Sequence, residues 1–169
     1  MMLRRAGTTS RPAGREEFAV LYREHGERVV RLAFLLTGQT GVAEEIAQDA
    51  FVSVWRSWDR IREPAAAYAY LRKTVVNLAR SFLRRRVLEL RHRIRHVDDA
   101  VEVDAGARID VLRAIAKLPP RQRACVALRF YEDLTEVETA RVLGISVGAV
   151  KSQTFKALRK LEGVMVDDG

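Results

Sequence analysis

The stretch EVETARVLGISVGAVKSQTF, Glu136 to Phe155, limits the chain's architecture more than any other. Its spacing predicts two short helices joined by a tight turn. Leu134, Val137, Ala140, Val142 and Leu143 are the apolar positions of the first helix, and Thr135 with Glu138 has the form of a capping box at its start. Gly144 follows the last apolar residue, where a chain leaving a helix often needs positive φ. Ile145 fills the corner and Ser146 caps the second helix. That helix runs from Val147 to about Leu161 and buries Val150, Ala157, Leu158 and Leu161. It leaves Lys151, Ser152, Gln153, Phe155, Lys156, Arg159 and Lys160 on other faces. A small residue at 140, glycine at 144 and an apolar residue at 150 match the spacing of a DNA-binding helix-turn-helix. The basic and polar outer face suits phosphates and base edges in a major groove. The plainer alternative is a helical hairpin with a solvated basic face; the fixed positions, the caps and the charge together favour DNA.

The rest of the composition is consistent with that. The chain has 169 residues and 48% hydrophobic content, enough for one medium or two small folded domains. A formal net charge of +8 favours a polyanionic partner, nucleic acid or an anionic membrane surface. The single Cys125 excludes an internal disulfide. No apolar run approaches the ~20 residues that span a bilayer, and the basic N-terminus lacks the apolar stretch of a secretory signal. The expectation is a soluble cytoplasmic protein without membrane insertion.

Residues 1–15 read as a flexible tail. A helix is expected from about Glu16 to Leu36, with Phe18, Leu21, Tyr22, Val29, Leu32, Ala33 and Leu36 on one stripe. A second, from about Val42 to Trp58, has a broad apolar arc of Ile46, Ala47, Ala50, Phe51, Val54, Trp55 and Trp58. Its other face carries Glu45, Gln48, Asp49, Val52 and Arg56, which suits either solvent or a protein partner. Pro64 biases Glu63 towards extended geometry. A third helix then runs from about Ala65 to Arg86, with Leu71, Val75, Leu78 and Phe82 inward. Between Arg72 and Arg95 stand nine Lys and Arg against the single acidic Glu89. Arginines among aromatics supply charge for a nucleic-acid backbone and π faces for unstacked bases. A solvated helix face is the competing explanation of that run.

Charge then reverses. Asp98, Asp99, Glu102, Asp104 and Asp110 against Arg108 mark an acidic linker. His92 and His96 lack the further ligands that a metal site needs. The second helical unit begins near Asp110. Leu112, Ile115, Ala116 and Leu118 pack one helix, Pro119 and Pro120 end it, and Arg121 to Tyr131 offers Cys125, Val126, Leu128 and Phe130 to the same core. Cys125 among Ala124, Val126 and Ala127 reads as a small hydrophobe rather than a nucleophile. The fold class is all-α: two small helical domains joined by a flexible linker, the second holding the helix-turn-helix. The domain bounds are 16–88 and 110–163, with the acidic linker at 89–109 and a short tail at 164–169.

This arrangement resembles the extracytoplasmic-function (group 4) sigma factors of bacterial RNA polymerase, closest to the SigE-type members of high-GC bacteria. LPPRQRACVALRFYEDLTEVETARVLGISVGAVKSQTFKALRKL is similar to their C-terminal promoter-binding domain nearly end to end. AEEIAQDAFVSVWRSWDRI is similar to the helix that docks on the polymerase clamp, and PAAAYAYLRKTVVNLARSFLRRR to the helix that melts and reads the −10 element. The resemblance implies that Ser146, Lys151, Ser152, Gln153, Phe155 and Lys156 meet the −35 duplex. It implies that Arg60, Arg62, Tyr68, Arg72, Lys73, Asn77, Arg80 and Arg84 meet the melted −10 strand, and that Gln48, Asp49, Val52 and Arg56 meet the polymerase. The implied partners are core RNA polymerase, promoter DNA and an anti-sigma factor, with no cofactor and a monomer when free. The acidic linker resembles the segment that runs through the polymerase cleft. Lys151, Gln153 and Lys156 depart from the arginines many members carry there, losing the fork that reads guanine bidentately. Ser81 replaces a frequent acidic residue.

The alternative is a conventional dimeric helix-turn-helix regulator that binds an operator without polymerase. The basic aromatic helix of the first domain argues against it, because a reader of duplex DNA alone has no use for one. Nothing in the chain resembles a phosphate-binding loop, an activated nucleophile or a metal cluster, so no enzyme is expected.

Overall fold

The structure, a computed structural model, describes residues 12–92 and 109–167. Most of the expected N-terminal tail and of the acidic linker, His96 included, lies outside the described residues.

Helix α1 (Pro12–Thr37) begins earlier than its apolar stripe requires. Leu21, Val29, Leu32, Ala33, Leu35 and Leu36 are buried, whereas Tyr22 is exposed and lies against Phe51 with ring centroids 4.8 Å apart. The helix ends where the Thr37 hydroxyl donates to the Ala33 carbonyl at 2.8 Å and Gly38 adopts φ 74. Helix α2 (Thr40–Arg56) buries Ala43, Ile46, Ala47, Ala50, Phe51 and Val54. These recur at three- and four-residue steps, the stripe that an amphipathic helix turns inward. Trp58 does not extend it: the chain tightens into a 3₁₀ turn at Trp58–Arg60. There the Trp58 ring joins Phe18 edge-on at 5.4 Å.

Helix α3 (Pro64–His92) starts on a proline, whose missing N–H is no loss in a first turn, and continues six residues beyond Arg86. Ala67, Leu71, Val75, Val76 and Ala79 are its buried residues; the expected Leu78 and Phe82 are only partly buried. Four-residue spacing through alanines at 67 and 79 lets neighbouring helices approach closely. Helices α1, α2 and α3 pack mutually.

The C-terminal unit contains α4 (Ile109–Ala116), α5 (Pro120–Val126), a π-helical turn at Ala127–Tyr131, α6 (Glu136–Leu143) and α7 (Val147–Asp167). The π turn rotates the end of α5, so Phe130 faces solvent at 54% exposure instead of joining the core as its spacing suggested. Leu158 is likewise exposed, while Val150 and Ala157 are fully buried. Cys125 is fully buried, and burial raises its thiol pKa. Inside this unit the Arg123 guanidinium is also buried and donates to the Ala116 carbonyl at 2.8 Å, closing the end of α4.

The two units share one core. A single buried cluster runs from Leu32, Leu71 and Val76 through to Cys125, Leu128, Leu143 and Val150, with α1 packed on α4 and α5 and α3 touching α6. Fully burying one leucine contributes about 1.5–3 kcal/mol, and Leu32, Leu71 and Leu128 are all fully buried in this shared core. A smaller cluster of Leu118, Val126 and Ala157 lies beneath α7.

Candidate nucleic-acid interface

The helix-turn-helix is built by local chemistry. The Glu138 N–H donates to the Thr135 hydroxyl at 3.1 Å, and the Thr135 N–H donates to the Glu138 carboxylate at 2.7 Å. Hydrogen bonding to the carboxylate from the Thr135 backbone N–H first, and then from the Thr135 side chain, holds the Glu138 carboxyl below the usual carboxylate range. Gly144 sits at φ 65, and the Ile145 N–H reaches the Ala140 carbonyl at 3.1 Å. The exposed Ser146 hydroxyl then accepts the Ala149 N–H at 3.0 Å, starting α7. Val150 plugs the crossing beneath, fully buried. Lys151, Ser152, Phe155 and Lys156 are exposed and Gln153 half-exposed. At 100° per residue the four exposed positions fall within an arc of about 140°. Phe155 is 65% exposed, an unusual position for a large aromatic ring. Lys151 Nζ lies 3.7 Å from the Glu136 carboxylate, an exposed pair that contributes little.

On α2, Gln48, Asp49, Val52 and Arg56 form one exposed row, with Val52 at 47% exposure. Beside it a shallow hollow is lined by Phe18, Tyr22, Phe51 and Trp55.

The structure separates the residues expected on melted DNA into three groups. Arg60 and Arg62 stand at the turn before α3; Arg60 donates to the Ser57 hydroxyl at 3.2 Å. Lys73, Asn77, Arg80 and Arg84 make an exposed stripe along α3. Arg84 donates to the Ser81 hydroxyl at 3.2 Å, and Arg80 crosses to the C-terminal unit to donate to the Leu143 carbonyl at 2.9 Å. Tyr68 and Arg72 turn the other way, into the junction between the two units.

That junction centres on Glu132, which stands just after the π turn with its side chain fully buried. The Tyr68 hydroxyl lies 2.9 and 2.8 Å from its two oxygens. Arg28 Nε donates to it at 3.2 Å and an Arg72 guanidinium nitrogen stands 3.6 Å away. Both guanidinium groups also lie near the Tyr68 ring, at 5.3 and 5.7 Å from its centroid. The Tyr131 hydroxyl donates to the Arg28 carbonyl at 3.2 Å. Burial first, and then the Glu132 charge, push the Tyr68 phenol well above its ordinary pKa. Burial opposes the Arg28 charge, but Glu132 more than restores it, so the guanidinium pKa ends raised. Sequence reasoning had marked neither Arg28 nor Glu132, which carry no local motif and meet across 104 residues.

A second surface lies nearby. The far half of α3 and the C-terminal unit enclose an apolar groove lined by Leu83, Val87, Leu88, Pro120, Ala124 and Ile145. Arg80, Arg84 and Arg121 border it.

Comparison with known proteins identifies this architecture. Residues 21–88 match the model of sigma-70 region 2, and residues 108–161 match that of sigma-70 region 4. The fold and its two regions therefore define an RNA polymerase sigma factor. The RNA polymerase sigma-E factor of Streptomyces avermitilis is 34% identical over 151 residues, which is 86% of this chain and 83% of the relative. The ECF RNA polymerase sigma factor SigM of Mycobacterium tuberculosis is 33% identical over 152 residues, 87% of this chain and 76% of the relative. In fold, the sigma factor RpoE of Bartonella quintana, solved in complex with the anti-sigma factor NepR, aligns over 91% of this chain and 99% of its own. That alignment has a TM-score of 0.77 at 19% identity. The chain belongs to the extracytoplasmic-function (ECF) RNA polymerase sigma factors, DNA-binding proteins that direct polymerase to promoters.

Proposed function

We propose that the two units divide promoter recognition between them. The α7 face of Lys151, Ser152, Gln153, Phe155 and Lys156, with Ser146 at its start, reads the −35 duplex. Arg60, Arg62, Tyr68, Arg72, Lys73, Asn77, Arg80 and Arg84 hold the melted −10 strand, and Gln48, Asp49, Val52 and Arg56 dock on core polymerase. The observation that carries this reading is the pairing, in one chain, of a capped helix-turn-helix with the exposed Lys73–Asn77–Arg80–Arg84 stripe. A duplex reader needs the first; the second suits an unpaired strand, where charge follows the backbone and aromatic or guanidinium planes stack on bases. Lysine at 151 and 156 gives the −35 contact more phosphate attraction than bidentate base reading.

The chain acts in the cytoplasm as an initiation factor and not as an enzyme. Its apolar groove, bordered by arginines, suits an anti-sigma protein with an amphipathic, acidic segment. Among the described residues no helix is long and apolar enough to cross a membrane. The test is promoter opening by reconstituted polymerase. Asn77→Ala with Arg84→Ala is expected to abolish permanganate reactivity of the melted strand while polymerase binding persists. A photo-crosslinker at Val52 is expected to capture the core enzyme. Normal melting by the double variant, or capture of DNA alone at Val52, contradicts these assignments.

A further inference from the structure

Glu132 belongs to the C-terminal unit, yet Arg28, Tyr68 and Arg72, which surround its carboxylate, all belong to the N-terminal unit. Separating the units withdraws the carboxylate and leaves two cations and a hydroxyl donor converging on one point. Contacts within the N-terminal unit keep them there: both guanidinium groups lie near the Tyr68 ring, and the His25 ring stands 4.4 Å from it. A carboxylate and a phosphodiester both present a pair of anionic oxygens to forked donors. The closed arrangement also leaves one donor unused, since among the described residues Arg72 Nε is buried without a hydrogen-bond partner. A larger, tetrahedral anion is better shaped to engage it.

The geometry points to a backbone-phosphate site made of Arg28, Tyr68 and Arg72, which holds a phosphodiester of single-stranded DNA when the units part and is filled by the Glu132 carboxylate when they meet. The inference rests on the melted-strand reading above and extends it. It adds Arg28, on α1, to the DNA surface, and makes Glu132 an intramolecular competitor for that surface. Phosphate contacts of this kind fix a strand's register without reading its sequence.

The experiment uses the full chain and a short, mixed-sequence, fluorescein-labelled single-stranded oligodeoxynucleotide, with anisotropy followed across a salt series. Glu132→Gln keeps the shape but removes the charge, and it is expected to tighten binding about tenfold. The salt slope is expected to steepen by about 0.7, the increment for one single-strand phosphate. Adding Arg28→Ala to Glu132→Gln is expected to erase both gains. Circular dichroism checks that each variant is folded. Should Glu132→Gln lose helicity, Glu132→Asp takes its place, with a smaller gain equally sensitive to Arg28→Ala. No gain on changing Glu132, or a gain that survives Arg28→Ala, overturns the site. Arg84→Ala, outside this cluster, separates the two readings. If it weakens binding while Arg28→Ala does not, only the phosphate site fails; if neither weakens binding, the melted-strand reading fails as well.

Discussion

The Tyr68 hydroxyl lies within hydrogen-bond distance of both carboxylate oxygens of Glu132, at 2.9 and 2.8 Å, across 64 residues of sequence and between two units of the fold. Tyr68 is one of the residues proposed to hold melted DNA. With the units together, that part of the proposed surface is turned inward. The flexible linker expected from the sequence leaves the arrangement of the two units open; the structure shows them paired.

Tyr68→Phe removes this hydroxyl and leaves Glu132, among the described residues, with Arg28 and Arg72. A buried charged acceptor deprived of one donor costs about 1–3 kcal/mol. Urea unfolding of the full chain is expected to show that loss, together with a larger radius of gyration by X-ray scattering as the units separate. Unchanged stability and radius exclude the bond from the solution structure.

Gly144 provides a cleaner test of backbone against packing. Among the described residues a Cβ built there meets nothing within 4 Å, so the Cβ itself brings no clash and its penalty comes from φ 65. Gly144→Val is expected to destabilise by about 1–2 kcal/mol, while Gly144→Asn, tolerant of the left-handed region, loses clearly less. Equal losses for the two variants point to a clash that the structure does not contain.

Thr135→Ala dismantles the capping box and is expected to cost about 1 kcal/mol. Hydrogen exchange is expected to accelerate first at Glu138 and Thr139, the N–H groups nearest the lost cap. Because one buried cluster joins the two units, the thermal transition is expected to stay single rather than split.

Lys151→Ala with Lys156→Ala changes two exposed side chains and costs the fold little, since the Lys151–Glu136 pair is itself exposed. Binding of a −35 duplex is expected to weaken and its salt slope to flatten by up to ~2. An unaltered slope takes both lysines off the phosphate contacts.

What the sequence made legible was local. The Thr135–Glu138 box, the Gly144 corner and the Val150 plug depend on neighbours a few residues apart, and each is found in place. Helix faces are legible where the period is regular, as from Ile46 to Val54, and not where it breaks. The π turn at Ala127–Tyr131 shifts the helical phase, so Phe130 faces outward despite its apolar character. The extension of α3 to His92 falls partly in the segment assigned to the linker, although Leu83, Val87 and Leu90 recur at four- and three-residue steps; in the structure Val87, Leu88 and Leu90 stay exposed. Glu132 was invisible for a different reason. Its partners come from α1 and α3, and nothing in a single sequence records that Arg28 and Glu132 meet.

Whether the chain is a polymerase-directed initiation factor is decided by mixing it, purified, with core RNA polymerase and following both assembly and run-off transcription from a candidate promoter. A stable complex and initiation at a defined start are expected, both initiation and start-site choice being lost when Lys151 and Lys156, or Asn77 and Arg84, are replaced by alanine. A chain that forms no complex with the core enzyme, yet binds a palindromic duplex as a dimer by itself, contradicts that role.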